Sequence, residues 1–401
     1  MPDAAIPYGA YWSTPFAKWQ GSLSHLHSLL FAAHVARAAL AKRRIDPSIF
    51  DHGVLGITVP QAGTFYGLPW LMGEIGAPQV AGPSVAQACA TGVRSLAMSI
   101  AEVEAAFANT SLTICADRVS NGPSLYYPDP NGPGGQGHTE NWILGNFKRD
   151  PFAKLAMVAT AENVARKFGI STEEQNETSL FRYAQYQEAL TNNCAFQRRY
   201  MDLPFEVPDS RYRLTGSFLS SDEGIHPTTA EGLAELRPVI EGGTVTFGGQ
   251  THPADGNAAI IVTTPERARD LSTQPGIAIR VLGFGSARAD IGHMPEAPIP
   301  ASHKALQAAD ASIKDMDAIK SHNPFVVNDI AFARSFNVPL ARMNRFGCSL
   351  VWGHPQAPTG LRGVIELIEE LALRGGGRGL FQGCAAGDTA MAVVIEVGDS
   401  A

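Results

Sequence analysis

Two cysteines, far apart in a chain of 401 residues, stand where side chains can do chemistry. Cys89 sits in Gln87-Ala88-Cys89-Ala90-Thr91-Gly92. It precedes a run in which Val93, Leu96, Ala97, Ile100, Val103 and Phe107 recur as one face of a helix. The spacing predicts a helix over Ala90 to Ala108 with Cys89 at its N-terminus, where unpaired amide groups and the helix dipole favour a thiolate. After the polar Asn109-Thr110-Ser111 turn, Leu112 to Ala116 reads as a short buried strand containing Cys115. Cys384 lies near the other end, in the small-residue turn Gly383-Cys384-Ala385-Ala386-Gly387. An isolated cysteine is more often a small buried apolar residue than a nucleophile. Two thiols placed in this way point instead to making or breaking a carbon–carbon bond.

The elements that must position them repeat. Thr359-Gly360-Leu361-Arg362 echoes Thr91-Gly92-Val93-Arg94, and each opens a helix-like run, the second carrying Leu361, Val364, Ile365, Ile368, Leu371 and Ala372. Both runs lead to a cysteine, 24 positions after Thr91 and 25 after Thr359. This reads as a duplicated strand–helix unit in which Cys384 is the counterpart of an inert Cys115, the two halves meeting with Cys89 near their shared face.

Composition suits two core domains: 45% hydrophobic and 17% charged residues, with 40 glycines and 27 prolines for tight connections. A net charge of −7 and the lack of a dense Lys/Arg run argue against nucleic acid. The opening Met1-Pro2-Asp3-Ala4-Ala5 has no basic segment before an apolar core, and Leu29 to Ala41 is interrupted by His34 and Arg37. Neither export nor a membrane span is expected. Five scattered cysteines fit a reducing, cytoplasmic setting better than a disulfide framework. Residues 1–118 and 276–401 alternate helix-like and strand-like runs, while Asn121 to Gly137, rich in Gly and Pro, opens a more polar and helical zone between them.

Three blocks, Gln87 to Gly92, Gly353-His354-Pro355 and Gly383 to Gly387, resemble in order and position the active-site blocks of the thiolase family. Weaker likenesses run between them: Thr14-Pro15-Phe16, Gly21-Ser22-Leu23, Thr160-Ala161-Glu162-Asn163, Asp222-Glu223-Gly224-Ile225, Ala254 to Ala259 and Pro298 to Ala301. The resemblance implies an α/β thiolase fold, two similar βαβαβαββ halves in a five-layered α-β-α-β-α arrangement with a loop domain over the coenzyme A site. It implies an N-terminal half of residues 1–118 completed by 251–275, a loop domain of 119–250 and a C-terminal half of 276–401. It also implies an acyl-CoA C-acyltransferase that cleaves 3-oxoacyl-CoA with CoA, or runs the reverse Claisen condensation, through an acyl-cysteine.

By the same resemblance Cys89 is the acylated nucleophile, His354 activates it, and Cys384 is the acid/base at the α-carbon. The backbone N–H groups of Cys89 and Ala386 would hold the acyl oxygen. Ser321-His322-Asn323-Pro324-Phe325 departs from the Asn-Glu-Ala-Phe of most members and is similar to the sterol-carrier type and to ketoacyl synthases, so His322 joins His354 as an oxyanion donor to the enolate. Ala385-Ala386 replace the usual glycines, and His226 stands where many relatives carry an arginine for the CoA phosphates. Met157, Thr251 and Phe325 match pantetheine contacts. CoA is then a substrate, no cofactor or metal is required, and the expected assembly is a homodimer or homotetramer, with a small companion protein as an open possibility. The alternatives are a decarboxylating, ketoacyl-synthase-like enzyme and a partner-dependent or non-catalytic acyl-CoA-binding subunit.

Other motifs read as structure. Gly283-Phe284-Gly285 lacks the third glycine of a dinucleotide loop, since Arg288 stands there. Arg374-Gly375-Gly376-Gly377-Arg378 reads as a helix end leading to the Leu380-Phe381 strand. His25, His27 and His34 lack further ligands at zinc spacing. His252 reads as an exposed loop histidine, and Trp352, beside Gly353-His354, as a sign of an altered pocket.

Overall fold

The computed structural model describes residues 3–399. Met1 and Pro2 of the opening stretch lie outside the described residues. In the first of two large sheets, Ala254–Thr263 runs antiparallel to Thr110–Arg118, with Ala258 opposite Cys115, and on its other side pairs with Tyr11–Ser13. Thr110–Arg118 continues in parallel with His52–Gly56, which pairs in parallel with Ser84–Val85. The second sheet orders Ile277–Arg288, Thr389–Asp399, Gly377–Ala385 and Ala318–His322, the last pair parallel. All ten residues of Ala254–Thr263 are buried, and a strand covered on both faces carries a continuous apolar run rather than alternation.

Helices fill three layers. Ser28–Arg43 and Gly67–Ile75 cover the outer face of the first sheet, packing Leu29, Leu40 and Leu71 with Leu55 and Ile114. Between the sheets lie Thr91–Glu104 and Ala357–Leu373, whose Leu96, Ile100, Leu361 and Ile365 share a core with Ile260 of one sheet and Val393 of the other. Pro298–Ala308 and Val326–Phe336 cover the far side through Ala305 and Phe332 against Ile319 and Val394. This is the five-layered arrangement expected.

The repeated Thr-Gly is where the two central helices touch. A Cβ on Gly92 would lie 2.7 Å from both Ala357 O and Leu361 N and 3.0 Å from Gly360 Cα, so only glycine permits the crossing. One expectation fails at the other end of the helix. It stops at Glu104, Ala106 turns left-handed at φ 58°, and Phe107 is 84% exposed instead of lying on the buried face. The amides of Phe107 and Ala108 bond back to Glu102 O, which closes the helix before the periodicity does.

Between residues 119 and 250 are a hairpin, Ser124–Tyr127 with His138–Asn141, and the helices Met157–Phe168 and Thr172–Cys194. Two of the weaker motifs tie this region down. Buried Glu162 accepts from the amides of Thr244 and Val245, and Asp222 accepts from Phe16 N and both terminal nitrogens of Arg362 on the central helix. Gly285 abuts Ala301 O of a covering helix, so that glycine serves packing, and Arg374 and Arg378 end in ion pairs with Glu370 and Glu396. Among the described residues no helix is long and apolar enough to cross a membrane.

Candidate active site

Cys89 is presented by a tied loop. Thr91 Oγ1 accepts from Gln87 N at 2.7 Å and donates to Ala88 O at 2.6 Å, while Arg94 Nε donates to Gln87 Oε1 at 2.7 Å. Ala88 takes a left-handed φ of 44°, a strained state for a residue with a Cβ, and the helix begins at Thr91, two residues after the cysteine. The Gln-Ala-Cys-Ala-Thr-Gly block is thus a hydrogen-bonded elbow followed by the glycine of the helix crossing.

Two histidines face it from the other half. His354 follows Gly353, where φ is 94° and a Cβ would stand 2.8 Å from His252 Nε2, and His354 N donates to His252 O at 2.9 Å. His322 ends its strand beside Gly383, where a Cβ would come within 2.8 Å of the His322 Cβ. The rings stack with centroids 4.1 Å apart. His354 Nδ1 meets Thr359 Oγ1 at 2.7 Å and His322 Nδ1 meets Ser349 Oγ at 2.8 Å. Ser349 Oγ lies 2.8 Å from His322 Nδ1 and 3.2 Å from Asn323 Oδ1, and the shorter contact is the one whose donation to Nδ1 would leave His322 Nε2–H as the free donor. Both Nε2 atoms are buried without a protein partner, and one ring nitrogen of each histidine and the Cys89 sulfur lie within 4.8 Å of one another.

The second thiol belongs to the same place. Asn328 Nδ2 donates to Cys384 Sγ at 3.2 Å, and the backbone N–H groups of Ala386 and of Cys89 itself point at the Cys89 sulfur. Burial pushes the Cys89 thiol up to about 11 and His354 down to about 3. Burial and then proximity to His354 hold His322 well below its ordinary value, while burial and then Cys89 raise Cys384 far above its own. The resting pair is therefore neutral thiol and neutral imidazole. Burial thus acts against the expected helix-stabilised thiolate, and the first helical turn starts beyond the cysteine.

Sequence reasoning missed the supports. Asn328, Ser349 and Thr359 hydrogen-bond Cys384, His322 and His354, and nothing local marks the first two. Asp117, raised to about 7 by burial, accepts from Thr58 N, Val59 N and, at 2.9 Å, Ala357 N, which fastens the segment after His354 to the strand beside Cys89.

Cys89 and Ala386 line a cavity of about 570 Å³, together with Met157. His226 lines a different one, of about 610 Å³, with Gln250 and His252. Thr251 Oγ1 donates to Ser349 O and its amide to Pro324 O, next to Phe325, which packs in one cluster with Cys384. Two readings are corrected. His252 is half-buried, with an unpartnered Nε2, because it backs Gly353. Trp352 is 1% exposed and lines neither cavity, since it packs on Phe16 and lies under the Arg362 guanidinium at 4.3 Å. His25 and His27 turn their Nε2 atoms to separate carbonyls, and His34 packs against Tyr212.

Residues 10–266 match the description "Thiolase, N-terminal domain" and residues 276–397 match "Thiolase, C-terminal domain". The chain is 27% identical over 391 residues to the mitochondrial 3-ketoacyl-CoA thiolase of Homo sapiens, with 96% of each covered. It is 29% identical over 365 residues to a probable acetyl-CoA acyltransferase of Staphylococcus epidermidis, with 90% of each covered. The crystal structure of human mitochondrial 3-ketoacyl-CoA thiolase in complex with CoA superposes with a TM-score of 0.88 at 26% identity, covering 98% of both chains.

Proposed function

The chain belongs to the thiolase family, and from that premise we propose how its own residues carry out acyl transfer between carbon and coenzyme A. It is a thiolase, an acyltransferase acting on acyl-CoA. The observation that carries the assignment of roles is the convergence of Cys89, His354, His322 and Cys384 from four separate segments. In the cleaving direction the Cys89 sulfur attacks C3 of a 3-oxoacyl-CoA as its proton passes to His354 Nε2. Burial disfavours both charged forms, which favours transfer together with attack. The N–H groups of Cys89 and Ala386 receive the C3 oxyanion. The C2–C3 bond then breaks, the enolate oxygen of acetyl-CoA is held by the Nε2–H of His322 and of protonated His354, and Cys384 donates its proton to C2. CoA thiol finally attacks the acyl group on Cys89, giving its proton to the Cys384 thiolate, while protonated His354 returns a proton to the departing Cys89 sulfur. Asn328, bonded to the Cys384 sulfur, stabilises the thiolate left behind. Condensation is the same path reversed.

Met157, Thr251 and Phe325 are assigned to the pantetheine arm and the His226 cavity to the nucleotide end. The three-part division at about residues 118, 250 and 276 is retained. No metal or redox group enters the steps as written. A cytoplasmic homodimer or homotetramer is proposed, and a companion protein is not required by this scheme.

The test is thiolysis of acetoacetyl-CoA by the purified chain, followed by loss of the 3-keto absorbance. Cys89→Ala and Cys384→Ala should each lower kcat by on the order of a thousandfold or more. Decarboxylation of malonyl-CoA in place of thiolysis, or turnover only after a second protein is added, would overturn the reading.

A further inference from the structure

Four small residues, Ala86, Ala88, Ala386 and Gly387, stand around Cys89 in its cavity, so bulk next to the thioester carbon meets little obstruction. Beyond them the wall turns aromatic, with Trp142, Phe147 and Phe152 beside Met157. The cavity is shared with the pantetheine arm at Met157, yet at roughly 30 Å³ for a water-sized group its volume of about 570 Å³ leaves room for more than an acetyl group. This wall is held in place before any ligand arrives. Trp142 Nε1 donates to Thr58 O at 2.8 Å, and Asp150 Oδ1 caps the turn at Phe152 and Ala153 with bonds of 2.6 and 2.9 Å. Phe152 is nevertheless 62% exposed, a ring turned outward at the mouth of a preformed space.

The polar groups of the wall speak to what the acyl end is. Glu140 is occupied by Tyr127 OH at 3.0 Å and Asn146 Nδ2 at 3.2 Å, and the Arg288 guanidinium lies over the Phe152 ring at 5.1 Å. Two carboxylates, Glu140 and Asp150, oppose that single cation, so a negatively charged acyl terminus would be repelled more than held.

We propose that the acyl group transferred by Cys89 is bulky and apolar, ring-bearing or branched, and that Trp142, Phe147 and Phe152 select it. The proposal rests on the reading of Cys89 as the acylated nucleophile. With 3-oxo-3-phenylpropanoyl-CoA the step balances as before: the Cys89 sulfur bonds to the benzoyl carbon, the C2–C3 bond breaks, Cys384 protonates the acetyl-CoA carbanion, and CoA leaves as benzoyl-CoA.

The experiment measures kcat/KM for thiolysis of 3-oxo-3-phenylpropanoyl-CoA, acetoacetyl-CoA and 3-oxoadipyl-CoA. The aryl substrate should exceed acetoacetyl-CoA by about tenfold or more, and Phe152→Ala should shrink that ratio by about tenfold. Efficient cleavage of acetoacetyl-CoA with poor cleavage of the aryl substrate would overturn the specificity while leaving the thiolase intact. Preference for 3-oxoadipyl-CoA, abolished in Arg288→Ala, would overturn it in favour of an anionic end. Failure of all three substrates, with no acyl group recovered on Cys89, would instead remove the mechanism beneath it.

Discussion

At the scale of single residues, the site works by keeping charge out until chemistry needs it. The two imidazoles stack at 4.1 Å, burial disfavours a proton on either, and each has an Nε2 with no protein partner. The same burial makes stability depend on pH. His354, held at about 3, lies below its unfolded value of about 6.5, so between these limits the unfolded chain binds a proton that the folded chain does not. The stability is fully present above about pH 6.5 and is lost as pH falls toward 3. Below pH 6 His354 should contribute a slope approaching about 1.4 kcal/mol per pH unit. Urea melts at pH 7 and pH 5 should show His354→Asn losing less stability than the parent, and equal losses would contradict the assigned burial. The residue types were legible from the chain alone; their protonation states were not, because desolvation is a property of the packed site.

At the scale of elements, the active-site blocks are two kinds of device. Thr91 ties the loop that presents Cys89, and Gly92 lets that helix touch its counterpart at Gly360. A Gly92→Ala side chain would meet backbone rather than a movable side chain. It should therefore cost about 1–3 kcal/mol through overpacking, read as a lowered urea midpoint with an unchanged m-value. Periodicity found both central helices and the buried strand at Cys115. It overran at Phe107, since the left-handed turn at Ala106 is set by local backbone bonds that an apolar pattern does not report. The repeat of Thr-Gly was visible as four matched residues, but its meaning as a contact between helices came only with the fold.

At the scale of the molecule, one buried ion pair joins three parts of the chain. Asp222, from the intervening region, holds Arg362 of the central helix and Phe16 N near the first strand, and Arg362 stacks on both Phe16 and Trp352. Removing Asp222 leaves both terminal nitrogens of Arg362 buried without that carboxylate, and only Glu366 at its Nε, 3.0 Å away, to offset the charge. Asp222→Ala should destabilise by about 3–5 kcal/mol in equilibrium unfolding, while Asp222→Ala with Arg362→Met should recover part of the loss. A single variant as stable as the parent would show that the pair does not fasten the region. The sequence by itself determined the family and the fold class and singled out the side chains proposed to react, because motif order and apolar spacing are local and survive in one dimension. The tertiary structure alone decided that Cys89 and His354, 265 positions apart, come together with His322, that Cys384 lies near enough to feel Cys89, that burial disfavours charge on them, and that the Cys89 cavity carries aromatic rings. Proximity and dielectric arise from the whole packing of the chain, and no run of neighbours encodes them.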